Sequence, residues 1–149
     1  MSPTPLKLLL IDDNQDHANI LQYAFQKSKR CAQLRSFDDS VSAIDFLLPV
    51  KKKETEYPDL ILLDLNMPRI DGRELLKILK SNDQTKGIPI IVLSSSERED
   101  DIRYAYEQGA CSYISKSTLL SDFSSVFPMF MEYWIGIALL PNRRDLHDE

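Results

Sequence analysis

The chain is predicted to be an α/β protein built on a doubly wound parallel sheet, and three observations predict it. Short apolar runs recur along the sequence, and each is followed by a stretch whose apolar residues fall at helical spacing. The two strongest runs, Leu8-Leu9-Leu10-Ile11 and Leu60-Ile61-Leu62-Leu63, contain no polar interruption, which marks strands covered on both faces. Both runs end directly in acid, at Asp12-Asp13 and at Asp64. In an open parallel sheet the carboxyl ends of the strands border the crevice where ligands bind. Three carboxylates are therefore expected to converge in one place.

The first strand is predicted over residues 7–11. The helix after it runs from about 15 to 29, with Ile20, Leu21, Ala24 and Phe25 on one face. A weaker strand at 33–37 precedes a helix at 40–48 that presents Val41, Ile44, Leu47 and Leu48 and is stopped by Pro49. The third strand, 60–64, leads into a helix over 72–80 with Leu75, Leu76 and Leu79 inward. A fourth strand at 88–93 is followed by a helix over 97–108, carrying Ile102, Ala105 and Tyr106, with Gly109 as its cap. A weaker strand at 111–115 comes last, and the final helix is expected to begin near Ser121 and extend past Trp134. Pro128 should kink that helix or open a new segment, because it cannot donate to Ser124.

Five strands alternating with five helices make a (βα)5 unit, for which the expected order is the flavodoxin-like 2-1-3-4-5. Its switch point lies between strands 1 and 3, the two that end in acid. Glycine occurs only at Gly72, Gly87, Gly109 and Gly136, so no dinucleotide fingerprint is present. No Ser/Thr/Gly-rich phosphate loop follows the first strand, which speaks against a flavin-nucleotide protein. Asp12 and Asp13 are adjacent, so the Asp-x-Asp motif of haloacid-dehalogenase-type phosphatases is missing too.

With 149 residues and 43% hydrophobic content, the chain suits one domain with a real core. Its expected span is 5–138, with a polar, disordered tail over 139–149. A net charge of -5 argues against a nucleic-acid partner, which calls for a basic stripe. The run Lys51-Lys52-Lys53 is followed by Glu54 and Glu56 and reads as a solvated loop. Cys31 and Cys111 are too few for a disulfide framework or a metal knuckle. No signal-peptide pattern is visible, and no apolar span reaches the ~20 residues of a membrane helix. The expectation is a cytoplasmic protein with no membrane partner.

Four places line up at the carboxyl ends of strands 1, 3, 4 and 5: Asp12-Asp13, Asp64, Ser94 and Lys116. Like charges at close range repel, so the acids call for a cation, and their hard oxygens suit Mg²⁺. A hydroxyl and an ammonium opposite can hold phosphoryl oxygens, and a carboxylate can be the nucleophile. Each residue alone has a plainer explanation. Asp13 alone would be a cap or turn residue, Lys116 a solvated loop lysine and Tyr113 part of the core. Ser94 competes with a helix-capping role, which Ser96 is expected to share. His17 reads as a solvent-facing residue of the first helix, and His147 carries no signal. It is the joint occurrence that points to phosphoryl chemistry.

The motifs LLLIDDN, LILLDLNMPRIDG, IPIIVLSSS and YISKS occur in that order on the expected strands. Together they resemble the CheY-like receiver domain of two-component response regulators, over about residues 5–138. The resemblance implies that Asp64 is the phosphoacceptor, served by a histidine kinase or a small phosphodonor. It implies that Asp13 ligates Mg²⁺ directly, that Asp12 assists, and that Asn66 contributes its backbone carbonyl. Ser94 matches the hydroxyl position that moves toward the phosphoryl group, Lys116 the lysine that pairs with Asp64, and Tyr113 the aromatic switch position. Pro68 and Gly72 match the loop after the third strand.

Two departures stand out. Receivers usually place Pro after the lysine, with a cis bond that directs it; here Ser117 follows, so the direction of Lys116 is left open. This Ser, with Glu132-Tyr133-Trp134 and Leu139-Leu140-Pro141, resembles the small stand-alone regulators paired with bacterial phytochrome-type histidine kinases. The last helix is also unusually aromatic, and Phe127, Phe130 and Trp134 are expected to form a partner surface for a homodimer. The implied function is a single-domain switch that phosphorylates itself on Asp64 from a donor and slowly hydrolyses, rather than an ordinary enzyme. The alternatives are a phosphorylation-independent binding module and a shuttle passing phosphate to a histidine phosphotransfer protein.

Overall fold

Strands β1 (Leu6–Ile11), β2 (Ala32–Phe37), β3 (Leu60–Leu63), β4 (Ile90–Ser94) and β5 (Ser112–Ser115) form one sheet in the order β2-β1-β3-β4-β5. All four pairings are parallel. The structure, a computed structural model, describes residues 5–28, 32–48 and 56–141. Helices α1 (Gln15–Lys27), α2 (Ser40–Leu47), α3 (Gly72–Ser81) and α4 (Glu99–Glu107) join successive strands. After β5 come α5 (Lys116–Ser121), α6 (Phe123–Met131) and a π-helical segment, Glu132–Ile137.

The strands alternate their side chains between two cores, which is why uninterrupted apolar runs are needed. Leu9, Ile11, Ile61, Leu63, Ile90 and Val92 face α2 and α3, meeting Ala43, Leu47, Leu75, Leu76 and Leu79. Leu8, Leu10, Leu60, Leu62, Ile91 and Leu93 face the opposite way, onto Leu21 and Phe25 of α1 and Phe127 and Met131 of α6. At about 25 cal/mol per Å² of apolar surface, burial on both faces of three central strands is the main stabilising term.

Local signals set the helix boundaries. The Asn14 side chain accepts from the His17 amide at 3.1 Å, and that of Asp39 from the Ser42 amide at 2.7 Å. Gly109, at φ 102°, closes the end of α4 as expected. The last helix opens close to the expected place, with α6 starting at Phe123. A short helix that was not expected, α5, precedes it directly after β5, and Asp122, with a non-helical ψ of 49°, separates the two. Pro128 lies inside α6 rather than at a break, and the loosening falls beyond it, in the π-helical segment.

The aromatic residues of this end are also placed differently from the expected partner surface. Phe127 is a core residue, 7% exposed, edge-on to Phe25 at 5.0 Å and stacked on Phe123. Phe130 and Trp134 are half-buried against the same core. Phe127 therefore offers little area to a partner, in contrast to the expectation. Among the described residues no helix is long and apolar enough to cross a membrane. Cys31, Pro49, the lysine run 51–53, His147 and most of the predicted tail, 142–149, lie outside the described residues.

Candidate functional site

Strand register builds the site. Ile11 pairs with Leu63, and the Asp64 amide donates to the Ile11 carbonyl at 2.9 Å. Asp12 and Asp64 thus leave adjacent strands at the same level. Ser94 closes β4 and pairs with Ser115, which puts Lys116 one step beyond. Asp12, Asp64, Ser94 and Lys116 are all buried, whereas Asp13 is exposed. Carboxylate oxygens of Asp12, Asp13 and Asp64 lie within 4.8 Å of one another.

Backbone geometry aims these groups. The Asn14 amide donates to Asp12 Oδ1 at 2.9 Å, and the Asn66 amide to Asp64 Oδ1 at 3.3 Å. Behind Asp64 the loop is pulled tight, because a Cβ on Gly72 would stand 2.1 Å from the Asp64 carbonyl oxygen and 2.5 Å from Leu65 Cα. Only glycine fits there. Arg69, in the same loop, has a positive φ of 63°, a conformation that non-glycine residues seldom adopt.

Lys116 enters from β5 and reaches between the acids. Its Nζ is 2.8 Å from Asp12 Oδ2, an ion pair without hydrogen-bond alignment, and donates to Asp64 Oδ2 at 3.3 Å. No peptide bond among the described residues is cis, so Lys116 reaches the acids with an ordinary trans bond to Ser117. Burial, and next to it the negative charge of Asp12, push the Asp64 carboxyl up to about 6, against the opposing pull of Lys116 and the Asn66 amide. Two unit charges about 4 Å apart at an effective dielectric near 20 interact by roughly 4 kcal/mol. One lysine cannot neutralise three carboxylates at that range. With all three ionised, the site carries two negative charges in excess, and its oxygens fit one divalent cation.

Ser94 ends β4, between the strand that leads to Asp64 and the one that leads to Lys116, and its Oγ accepts from the Ser96 amide at 3.1 Å. The Tyr113 hydroxyl donates to the Ser96 carbonyl at 2.9 Å, so the predicted switch tyrosine touches the loop that begins at Ser94. Ser96 donates to Asp101 Oδ2 and accepts from the Arg98 amide, but Arg98 is the α4 cap residue, so Ser96 takes only part of the capping role. Asn66 is exposed beside Asp64, and its side-chain oxygen makes a long 3.5 Å contact with Arg73 Nη1.

Arg73 and Glu97 had no place in the sequence expectations, and His17 is less exposed than expected. His17 does not simply face solvent: its side chain is 24% exposed and its Nδ1 lies 3.9 Å from Asp12 Oδ2. Arg73 of α3 grips Asp101 of α4 through Nε and Nη2 at 3.1 and 2.8 Å, and also Asp71. Glu97 accepts hydrogen bonds from Ser115 and Ser117, far along the chain, for which no local signal existed.

The chain matches the model of the response regulator receiver domain over residues 8–125. Response regulator Rcp1 of Synechocystis sp. is 34% identical over 145 residues, covering 94% of this chain and 96% of Rcp1. The probable methanogenesis regulatory protein FilR2 of Methanothrix harundinacea is 32% identical over 132 residues, covering 89% of this chain and 85% of that one. Among solved structures, the phosphorylated cyanobacterial phytochrome response regulator RcpA superposes with a TM-score of 0.81 at 36% identity, covering 93% of this chain and 99% of RcpA. The Mn²⁺-bound form of Rcp1 gives 0.80 at 34% identity, covering 92% and 99%. The chain belongs to the response regulator receiver family of two-component systems.

Proposed function

We propose that this receiver takes a phosphoryl group onto Asp64 and changes its partner binding as a result. The observation that carries this reading is the buried triad of Asp12, Asp64 and Lys116, with Lys116 Nζ 2.8 Å from one carboxylate and 3.3 Å from the other. Mg²⁺, held by Asp12, Asp13, Asp64 and the Asn66 carbonyl, would supply charge neutralisation at the phosphoryl oxygens. The Mn²⁺-bound state of Rcp1 and the phosphorylated state of RcpA support both parts.

In the step itself an ionised Asp64 Oδ attacks phosphorus. The bond from phosphorus to the donor breaks, and its electron pair leaves with the donor, an imidazole of a histidine kinase or histidine phosphotransfer protein, or an acetate. Lys116 stays paired with the oxygens that carry the charge, and the Ser94 hydroxyl, at the end of the strand between those leading to Asp64 and Lys116, is available to the phosphoryl oxygens. Hydrolysis reverses the change: water attacks phosphorus, the Asp64–phosphorus bond breaks, and the carboxylate and inorganic phosphate are released. Tyr113, bonded to the Ser96 carbonyl, supports a path by which movement of Ser94 reaches the β5 surface.

A second copy of the chain is the proposed partner of the C-terminal end. Met129, Tyr133, Ile137 and Leu139 are exposed there, and Ile20 and Tyr23 of α1 line a groove with Pro128 and Met131 of α6. Phosphate passing onward to a histidine phosphotransfer protein uses the same Asp64 chemistry.

The direct test is the phosphoryl mimic beryllofluoride with Mg²⁺, followed by amide NMR. Saturable shifts at Asp64, Ser94, Lys116 and Tyr113 are expected, absent when Mg²⁺ is omitted. A spectrum unchanged by the mimic would favour a phosphorylation-independent binding module.

A further inference from the structure

Lys116 must point into the site without the proline that usually follows it in such receivers, and the structure offers another source of direction. The two residues flanking it, Ser115 and Ser117, both hydrogen-bond to Glu97 Oε2, at 2.6 and 3.1 Å, and their hydroxyls are 2.8 Å apart. Ser115 is the cap residue of α5, yet its side chain makes no cap hydrogen bond and is given to Glu97 instead. An N-cap serine left unused in this way forgoes the usual stabilisation of the helix start. Glu97 lies in the β4–α4 loop, one residue after Ser96, whose carbonyl accepts from Tyr113.

From this geometry we infer that Glu97 is a positioning residue for Lys116: its carboxylate clamps the hydroxyls on both sides of the lysine and so holds Nζ between Asp12 and Asp64. Both hydrogen bonds hold the Glu97 carboxyl below its usual range. An ionised acceptor strengthens such bonds. The clamp also ties the loop that follows Ser94 to the β5–α5 junction that carries Lys116, so the two phosphoryl-facing groups are held as one unit. Glu97 is surface-exposed, and its action runs through the two serines. The role rests on the phosphoacceptor reading for its consequence but not for its geometry.

Two measurements test it. The first is the Lys116 ammonium signal in ¹⁵N NMR, identified by its loss in Lys116→Ala and slow to exchange because the group is buried. It should broaden or vanish in Glu97→Ala and in Ser115→Ala/Ser117→Ala, and persist in Glu97→Gln, whose carbonyl still accepts both hydroxyls. The second is the rate of phosphorylation by acetyl phosphate at saturating Mg²⁺. Misplacing a catalytic group by an ångström can reduce rate up to about a hundredfold, so Glu97→Ala should slow the reaction by about tenfold. Mg²⁺ affinity should stay at the wild-type value, and Glu97→Ala should add nothing in a Lys116→Ala background. An unaltered ammonium signal in Glu97→Ala overturns the inference, as does an equal slowing with and without Lys116. If wild type accepts no phosphoryl group, the functional reading fails and the ammonium signal alone decides the clamp.

Discussion

Gly72 lies against the backbone of Asp64, its amide donating to the Leu65 carbonyl at 2.8 Å while the missing Cβ leaves room for the Asp64 carbonyl oxygen. The glycine opening α3 thereby sets where the central acid stands. Gly72→Ala must push backbone against backbone, which no side-chain rotation relieves. It is expected to destabilise the protein by roughly 2 kcal/mol or more and to weaken Mg²⁺ binding beyond what the stability loss explains. Thermal melts with and without Mg²⁺ check this: the stabilisation by metal should shrink in the variant.

Asp64 gives the site a defined pH dependence. Its carboxyl is raised to about 6 in the folded protein, chiefly by burial. A raised acid binds its proton more tightly in the folded than in the unfolded chain. In metal-free protein its contribution to stability is thus fully present below the unfolded value, near 4, and is lost as pH climbs through 6. Mg²⁺ requires the ionised form, so its affinity should rise over the same window. Denaturant titrations between pH 4 and 7, with and without Mg²⁺, should show the two opposite trends.

Lys116 opposes the upward shift of Asp64, so Lys116→Met should move the Asp64 carboxyl above its wild-type value of about 6. The isosteric apolar chain keeps the packing. Side-chain ¹³C NMR of Asp64 across a pH titration reads the shift directly, and a midpoint at or below the wild-type one would mean that the 3.3 Å pair is not formed in solution.

The C-terminal end separates core from surface. Phe127→Ala should cost about 3–5 kcal/mol, as expected of a buried aromatic. Met129→Lys and Ile137→Lys, at exposed positions, should leave the melting temperature nearly unchanged. If a second copy covers this face, both lysine variants shift the wild-type dimer to monomer in sedimentation at micromolar concentration. A wild type that sediments as monomer, with and without beryllofluoride, removes the dimer from the account.

Most of the fold was legible because the central strands are buried on both faces, and such strands leave unbroken apolar runs like Leu60-Ile61-Leu62-Leu63. The acids were legible for the complementary reason: a charge at the end of a buried run is conspicuous. Helix starts at Asn14, Asp39 and Asp122 carry polar residues, whereas the short α5 follows β5 directly, with no loop between them to mark it. The last helix misled because its apolar stripe continues through α5, α6 and the π-helical segment, and hydrophobic spacing does not register a local change of backbone angle. Phe127 looked superfluous to one helix face until Phe25 of α1 supplied its partner. The Glu97 clamp and the Arg73–Asp101 grip join residues far apart in sequence, with no periodicity to betray them.

Asp64, which shares the Lys116 ammonium with Asp12, is the proposed phosphoryl acceptor. Intact-mass spectrometry after incubation with acetyl phosphate and Mg²⁺ reads this out. The wild type should gain one phosphoryl group, lost on adding a chelator beforehand and absent in Asp64→Ala. An unmodified wild type, or an equal gain in Asp64→Ala, rules out Asp64 as the acceptor.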